Sequence, residues 1–323
     1  MSVQAPNFSI LQDEMKGLQG DVQHDTLGLL EKALKSTSTP NIEQQTQSFV
    51  TPILKSYKET EHLYNASQTT FAQQTYDAIL LISTCIPSGH HAQDILQRAL
   101  PLLQQAGEAW NLGEFGMLTR EIWNEGLYLP LPELFFVINQ NTDPLHETNP
   151  ANAYENQLNP NQWLNLNSFI AKCFENNLSN AVHGEPIPNV FANFGLWELR
   201  RALETPGQDE KSKEIQAPNE VVDMRVKAAC EWIVQATKML LVACLHNSCG
   251  EHSNGGSDGS PYGPGELFSG SVGFSLERWG FWKRRIVELK GTVGDDVHGV
   301  MDEALKKMTA VEFEAAEALV FKK

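Results

Sequence analysis

The sequence predicts an all-α fold, an irregular helical array or solenoid-like stack of about nine to ten helices. Three observations carry this. Apolar residues recur at 3,4 spacing in one segment after another, strand-like alternation is almost absent, and Pro- or Gly-containing breaks punctuate the segments. No fixed period of the kind that defines a named helical repeat runs through the chain.

The elements follow in order. Leu27, Leu30 and Leu34 predict a first helix. A second opens after Thr39-Pro40 and carries Ile42, Phe49, Ile53 and Leu54. Ala78, Ile79, Ile82 and Ile86 mark a third, which stops at Pro87-Ser88-Gly89. Ile95, Ala99, Leu102 and Ala106 mark a fourth, with a kink or break expected at Pro101. Phe115, Leu118 and Ile122 give a short fifth, ending at Gly126.

From Asn139 to Asn167 the composition changes, with Asn and Gln at 12 of 29 positions and prolines at 144, 150 and 160. This reads as a solvated connection, so the chain is expected to be a single helical domain, 1–323, with halves 1–138 and 162–323 on either side of it. Trp163, Leu166 and Ile170 resume the helical pattern. The next helix carries two stripes, Val190, Phe194, Trp197 and Leu196, Leu199, Leu203, and so is contacted from two sides. The longest helix runs from about Pro218 to Asn247 on the seam Val222, Val226, Ala229, Ile233, Ala236, Leu240, Ala243, where alanines let a neighbour approach closely. Residues 248–271 hold seven glycines and read as a flexible loop. Trp279, Trp282, Ile286, Leu289 and Val293 form one further stripe, and Met301, Leu305, Met308 and Leu319 the last.

Composition narrows the function. The chain has 323 residues, 41% of them hydrophobic, which supports a sizeable core. Only 20% are charged, and 22 Asn and 20 Gln take the place of the missing charge. With 24 Lys and Arg against 40 Asp and Glu, the net charge of −16 disfavours nucleic acid and anionic membranes as partners. Five cysteines are an odd, sparse set that fits reduced thiols, and the first thirty residues lack a signal-peptide pattern, so the expected location is cytoplasmic. The most apolar stretch, Met239 to Leu245, is too short to span a bilayer.

No P-loop, dinucleotide fingerprint, zinc ribbon or nucleophile elbow occurs, so no cofactor is expected and catalytic residues are unknown. Cys244, His246, Cys249 and His252 combine zinc-compatible ligand types, but they are compressed into nine residues where a finger separates its ligand pairs widely. Cys244 also adjoins the apolar seam, and no bound metal is expected. His90 and His91, at a helix start, read as surface residues. The segment 274–285 is amphipathic: Trp279 and Trp282 share an apolar stripe, while Arg278, Arg284 and Arg285 form a cationic strip. These five residues are the interaction candidates, because Trp and Arg dominate interface hot spots.

Two blocks, Leu196-Trp197-Glu198-Leu199-Arg200-Arg201-Ala202-Leu203-Glu204 and Phe274-Ser275-Leu276-Glu277-Arg278-Trp279-Gly280-Phe281-Trp282-Lys283-Arg284-Arg285, together with Trp163-Leu164-Asn165-Leu166-Asn167-Ser168-Phe169, resemble a fungal family of all-helical proteins. That family is grouped as oxopyrrolidine-biosynthesis-associated, and some members lie beside secondary-metabolite genes. The resemblance implies a filamentous-fungal origin, a helical fold and an accessory role in secondary metabolism, and it brings no catalytic residues with it. The expected function is a helical scaffold or protein-interaction protein that binds an unknown protein partner or itself. The alternative is a cofactor-free enzyme (cyclase, isomerase or hydrolase) acting on a small metabolite in an apolar helical pocket.

Overall fold

The computed structural model describes residues 6, 8, 22–35, 41–60, 65–125, 127–130, 135–138, 146–148, 158–176, 191–206, 219–248 and 262–320. The chain divides into two compact units, Met1–Phe169 and Ile170–Lys323.

In the first unit, α1 (Val22–Lys35), α2 (Ile42–Glu59), α3 (Asn65–Thr84), α4 (His91–Gln104) and α5 (Leu112–Glu125) follow one another, with a 3₁₀ turn at Glu108–Trp110. Asn41 caps α2 by accepting the Gln44 N–H at 3.1 Å, and His90 caps α4 through Nδ1, which accepts the Ala92 N–H at 3.1 Å. Leu27, Leu30, Phe49, Ile53, Ile79, Ile82, Ile95 and Ala99 point into one core. On α4 the stripe continues through Leu103 rather than Leu102. Pro101 does not break this helix. The helix runs on through Gln104, and the Gln105 N–H donates to the Pro101 carbonyl at 3.2 Å. Trp110 is wholly buried, with the rings of Tyr57, Tyr76 and Phe71 at 5.2, 5.5 and 6.3 Å. The Tyr76 hydroxyl donates to the Trp110 carbonyl at 2.8 Å, and burial pushes its acidity far down.

The fold is all-α, with one small addition that the sequence pattern does not announce. Strands β1 (Leu127–Pro130), β2 (Phe135–Ile138) and β3 (His146–Thr148) pair as an antiparallel meander in which Leu127 faces Ile138 and Phe135 faces Thr148. Strands this short leave no alternation to read, and Phe135-Phe136-Val137-Ile138 is an apolar run that suits helix or strand equally. The Asn/Gln-rich stretch 139–167 is therefore not one connection. It contains β3, and α6 (Pro160–Glu175) begins inside it.

Pro160 opens α6, and Asn159 Oδ1 accepts the N–H groups of Asn161 and Gln162 while Gln162 Oε1 accepts the Asn159 N–H, all at 3.0 Å. Beyond this cap, Gln93 donates to the carbonyls of Ile86 and Asn165 and accepts from Ser168, so its buried amide is satisfied.

The second unit contains the end of α6, then α7 (Ala192–Leu199), a π-helical turn (Arg200–Glu204), α8 (Asn219–Leu245), α9 (Leu276–Leu289) and α10 (Asp295–Val320). The seam from Val222 to Ala243 is buried, but α8 is not straight. Ala236 has φ −129° and ψ 30°, and neighbours take up the backbone groups that this kink releases. Glu175 accepts the Met239 N–H at 3.0 Å, Lys307 donates to the Val234 carbonyl at 2.7 Å, and the Thr237 hydroxyl donates to the Ile233 carbonyl.

By length and composition α8 would suffice to cross a bilayer, which corrects the shorter apolar stretch read from sequence. In this fold it is the central helix, and α7, α9 and α10 all pack on it.

Candidate functional site

The site is built on the π turn. α7 brings Glu198 to its last turn, and the next five residues, Arg200–Glu204, adopt the wider helical geometry that recurs at functional positions. The Thr205 hydroxyl closes the turn on the Arg200 carbonyl at 3.3 Å. Two carboxylates and two guanidiniums are thereby gathered within one short stretch.

Glu204 is fully buried and accepts four hydrogen bonds. Oε1 takes Arg278 Nε and Trp282 Nε1, both at 2.6 Å, while Oε2 takes Arg278 Nη2 at 2.8 Å and the Gly265 N–H at 2.9 Å. Arg278 is equally buried and uses all five of its donors. Beyond the two bonds to Glu204, Nη1 donates to the carbonyls of Tyr262 (3.2 Å) and Gly273 (2.7 Å), and Nη2 donates to that of Gly263 (2.9 Å). The guanidinium also lies 5.4 Å from the Phe268 ring centroid and 5.9 Å from that of Trp282. A buried ion pair survives only when its remaining lone pairs and protons are satisfied, and here they are.

This arrangement corrects two expectations. Arg278 does not belong to a cationic surface strip, because Glu204 draws it into the interior, and Trp279 and Trp282 are buried beside it. The stretch 262–275, which includes residues 262–271 of the expected flexible loop, is held by Arg278, by the Gly273 N–H donating to Tyr262, and by the Leu267 N–H donating to the Glu204 carbonyl. Glycine serves close approach here: a Cβ at Gly265 would lie 2.6 Å from Glu204 Cβ.

On the other side of the π turn, Glu198 is 1% exposed, with Arg201 Nη1 3.6 Å from its Oε1. Arg225, from α8, is 6% exposed, and its guanidinium is pulled down to about 10, first by burial and then by the charge of Arg201, with Glu198 opposing. Arg200 is lowered by burial, by Arg278 and by Arg201, with Glu204 opposing.

α9 carries the remaining candidates. Ser275 caps it by accepting the Arg278 N–H at 3.1 Å. Trp279 Nε1 donates to Glu312 Oε1 at 2.7 Å, and Lys283 Nζ bonds Glu312 Oε2 at 2.5 Å, so α10 grips the inner face. Arg284 is exposed and Arg285 pairs with Glu288 at 3.0 Å. Val287, 57% exposed, lies one helical turn from Arg284, and Leu276, 52% exposed, lies at the start of α9.

Of the zinc-type residues, Cys244 is buried and its thiol is pushed up to about 12 by burial, with the Ser275 backbone and Arg278 opposing, while His246 is exposed. Cys249 and His252 lie outside the described residues. Among the described residues no group of three His, Cys, Asp or Glu could hold a metal ion. Sequence reasoning missed Glu198, Glu204 and Arg225. Their one signal is a charged residue placed on an otherwise apolar helical stripe.

These features define an all-helical protein organised by buried guanidinium–carboxylate clusters about a π turn. The family described as "Protein of unknown function (DUF3632)" matches residues 76–286, and the chain belongs to it. That span includes Glu198, Arg201, Glu204, Arg225, Arg278 and Trp282. No curated protein and no solved structure matches the chain.

Proposed function

We propose that the protein is a non-catalytic, cytoplasmic interaction protein, an accessory of fungal secondary metabolism, and that the outer face of α9 is its binding edge. The fungal and metabolic part of this reading rests on the resemblance of the 196–204 and 274–285 blocks. The interaction part rests on one observation: α9 is fixed along its inner face by Glu204 and Glu312, yet presents Leu276 at its start and Val287 one turn from exposed Arg284, both more than half exposed. A rigid helix with apolar residues flanking an arginine loses little entropy on docking. The partner is a protein surface with an acidic group opposite Arg284 and an apolar patch for the two aliphatic side chains.

The test compares full-length wild type with Val287→Glu and Arg284→Glu by size-exclusion chromatography with light scattering and by affinity capture from native extract. Wild type is expected to self-associate or to retain a stoichiometric partner, and each variant to lose it at an unchanged melting temperature. A wild type that stays monomeric and captures nothing overturns the proposal, as does a partner that both variants retain.

A further inference from the structure

α9 and α10 run antiparallel: Lys283 bonds Glu312, and seven residues on along α9 Lys290 bonds Asp302, ten residues back along α10. Both helices pack on α8, so the side of the pair turned away from α8 is one outer layer. Glu312 marks a level across it, because its carboxylate takes both Trp279 and Lys283 and so stands opposite Phe281. The exposed groups of the layer are disposed symmetrically about that level. On α10, Ala310 and Phe313 flank it, with Lys306 four residues before the first and Glu317 four residues after the second. These positions keep 4,3,4 spacing on the face opposite the buried Met301, Ala304, Met308 and Val311. On α9, Leu276 lies five residues before Phe281 and Val287 six after it, while Glu277 lies four before and Arg284 three after. All eight are exposed, and Phe313 is 64% exposed.

Such a surface complements itself. A two-fold axis through that level, perpendicular to the helices, lays α10 antiparallel on its twin. Phe313 then meets Ala310 of the second copy, and Lys306 meets its Glu317. The same rotation sets Leu276 against Val287 and Glu277 against Arg284, and every contact occurs twice, as an isologous interface requires. The charges favour the same occupant. Among the described residues Glu277, Arg284, Lys306 and Glu317 form no ion pair or side-chain hydrogen bond, whereas Lys283, Arg285 and Lys290 around them are all paired. Two charges of each sign make the layer locally neutral on a chain of net charge −16, which suits a copy of itself better than a partner of a single sign. Repulsion between the remaining acidic surfaces is screened beyond about 8 Å at physiological ionic strength.

We propose that the protein forms a two-fold dimer through the α9–α10 layer, with a second copy of the chain as the occupant of this face. The inference rests on the reading of α9 as the binding edge and names its partner. The second copy supplies Glu277 as the acidic group opposite Arg284, and Leu276, Val287 and Phe313 as the apolar patch. Phe313 is the anchor, since an exposed aromatic side chain on a fixed helix buries a large area at low entropic cost, and the small Ala310 opposite it lets the two α10 helices close.

The test is sedimentation equilibrium of the full-length chain over a range of protein concentrations, with circular dichroism to verify that each variant is folded. Wild type is expected to dimerise. Phe313→Glu and Lys306→Glu are each expected to raise the dissociation constant about tenfold or more, the second because it sets two carboxylates face to face across the axis. The exposed Lys55→Glu in the first unit makes the same charge change and is expected to leave the dimer intact. The double replacement Lys306→Glu/Glu317→Lys exchanges the two signs and is expected to restore dimerisation, which only this antiparallel register predicts. A dimer that both single substitutions leave unchanged, or that the double replacement fails to restore, overturns the proposal. A monomeric wild type that captures a different protein, lost on Val287→Glu, overturns the dimer but leaves the α9 edge standing. A monomer that captures nothing overturns both.

Discussion

Arg278 and Glu204, 74 residues apart in the chain, meet as a bidentate ion pair in which neither side chain reaches solvent. The pair joins the π turn, the start of α9 and the 262–275 stretch at a single point. Replacing either residue alone leaves a buried charge without its partner, which typically costs about 3–5 kcal/mol. Glu204→Gln is therefore expected to lower the urea midpoint sharply. The double replacement Glu204→Leu/Arg278→Met is expected to recover part of that loss, because two apolar groups strand no charge on each other. If the double variant is as unstable as the sum of the single ones, the pair carries no special coupling.

Trp282 and Trp279 share a stripe but anchor differently. Trp282 is wholly buried and its indole donates to Glu204, while Trp279 donates to Glu312 on α10. Each change to Ala is expected to cost about 3–5 kcal/mol, as large-to-small core substitutions do. Trp282→Ala should cost the more, since it also strips a donor from a buried carboxylate. Equal melting curves for both variants and the wild type would place the stripe outside the core.

Much of this architecture is legible in sequence, because helical burial repeats within a few residues. The seam from Val222 to Ala243 is buried as its spacing requires, and so are Trp279, Trp282, Ile286 and Leu289, whereas Val293 lies past the end of α9 and is half-buried. The site is not legible in the same way. Arg278 reads as the edge of a cationic strip until Glu204 is known to face it, and no local pattern connects positions 74 residues apart. Nor does spacing reveal the bend at Ala236, because the periodic seam runs straight through it and what holds the bend comes from Glu175 and Lys307 on other helices. Glycine richness misleads in the opposite direction: Gly265 lets the backbone approach Glu204 and the Gly263 carbonyl accepts from Arg278, where flexibility was expected.

Glu175 gives the bend a pH dependence. Burial raises its carboxyl above the ordinary value of 4.5, opposed by the N–H groups of Met239 and Lys238 and by the charges of Lys238 and Lys307. The folded value thus exceeds the unfolded one, so between the two the native state binds more protons than the unfolded state. The contribution of this group is fully present below the unfolded value and is lost as pH rises through the folded one. Removing the titration should flatten that interval. In melting temperatures followed upward from the ordinary carboxylate range, Glu175→Gln is expected to show a shallower decline than wild type. Parallel curves would mean that the carboxyl does not titrate differently on folding.

Gly265 tests how closely the 262–275 stretch must approach the buried pair. Its N–H is one of the four donors to Glu204, and a Cβ added there would stand 2.6 Å from Glu204 Cβ and 2.7 Å from the Glu204 carbonyl oxygen. Backbone atoms cannot swing aside as a flexible side-chain tip would, so either the stretch lifts away or the π turn shifts. Both responses lengthen hydrogen bonds to an ion pair that has no water to replace them. Gly265→Ala is accordingly expected to destabilise the fold by about 1–3 kcal/mol, the usual cost of overpacking, although alanine in an unstrained loop would ordinarily be neutral or mildly stabilising. The comparison that isolates the cause is Gly291→Ala, where nothing lies within 4 Å of the added carbon and little change is expected. If Gly265→Ala melts with wild type, the 262–275 stretch does not rest on Glu204, and the closure of the buried pair by this loop is refuted.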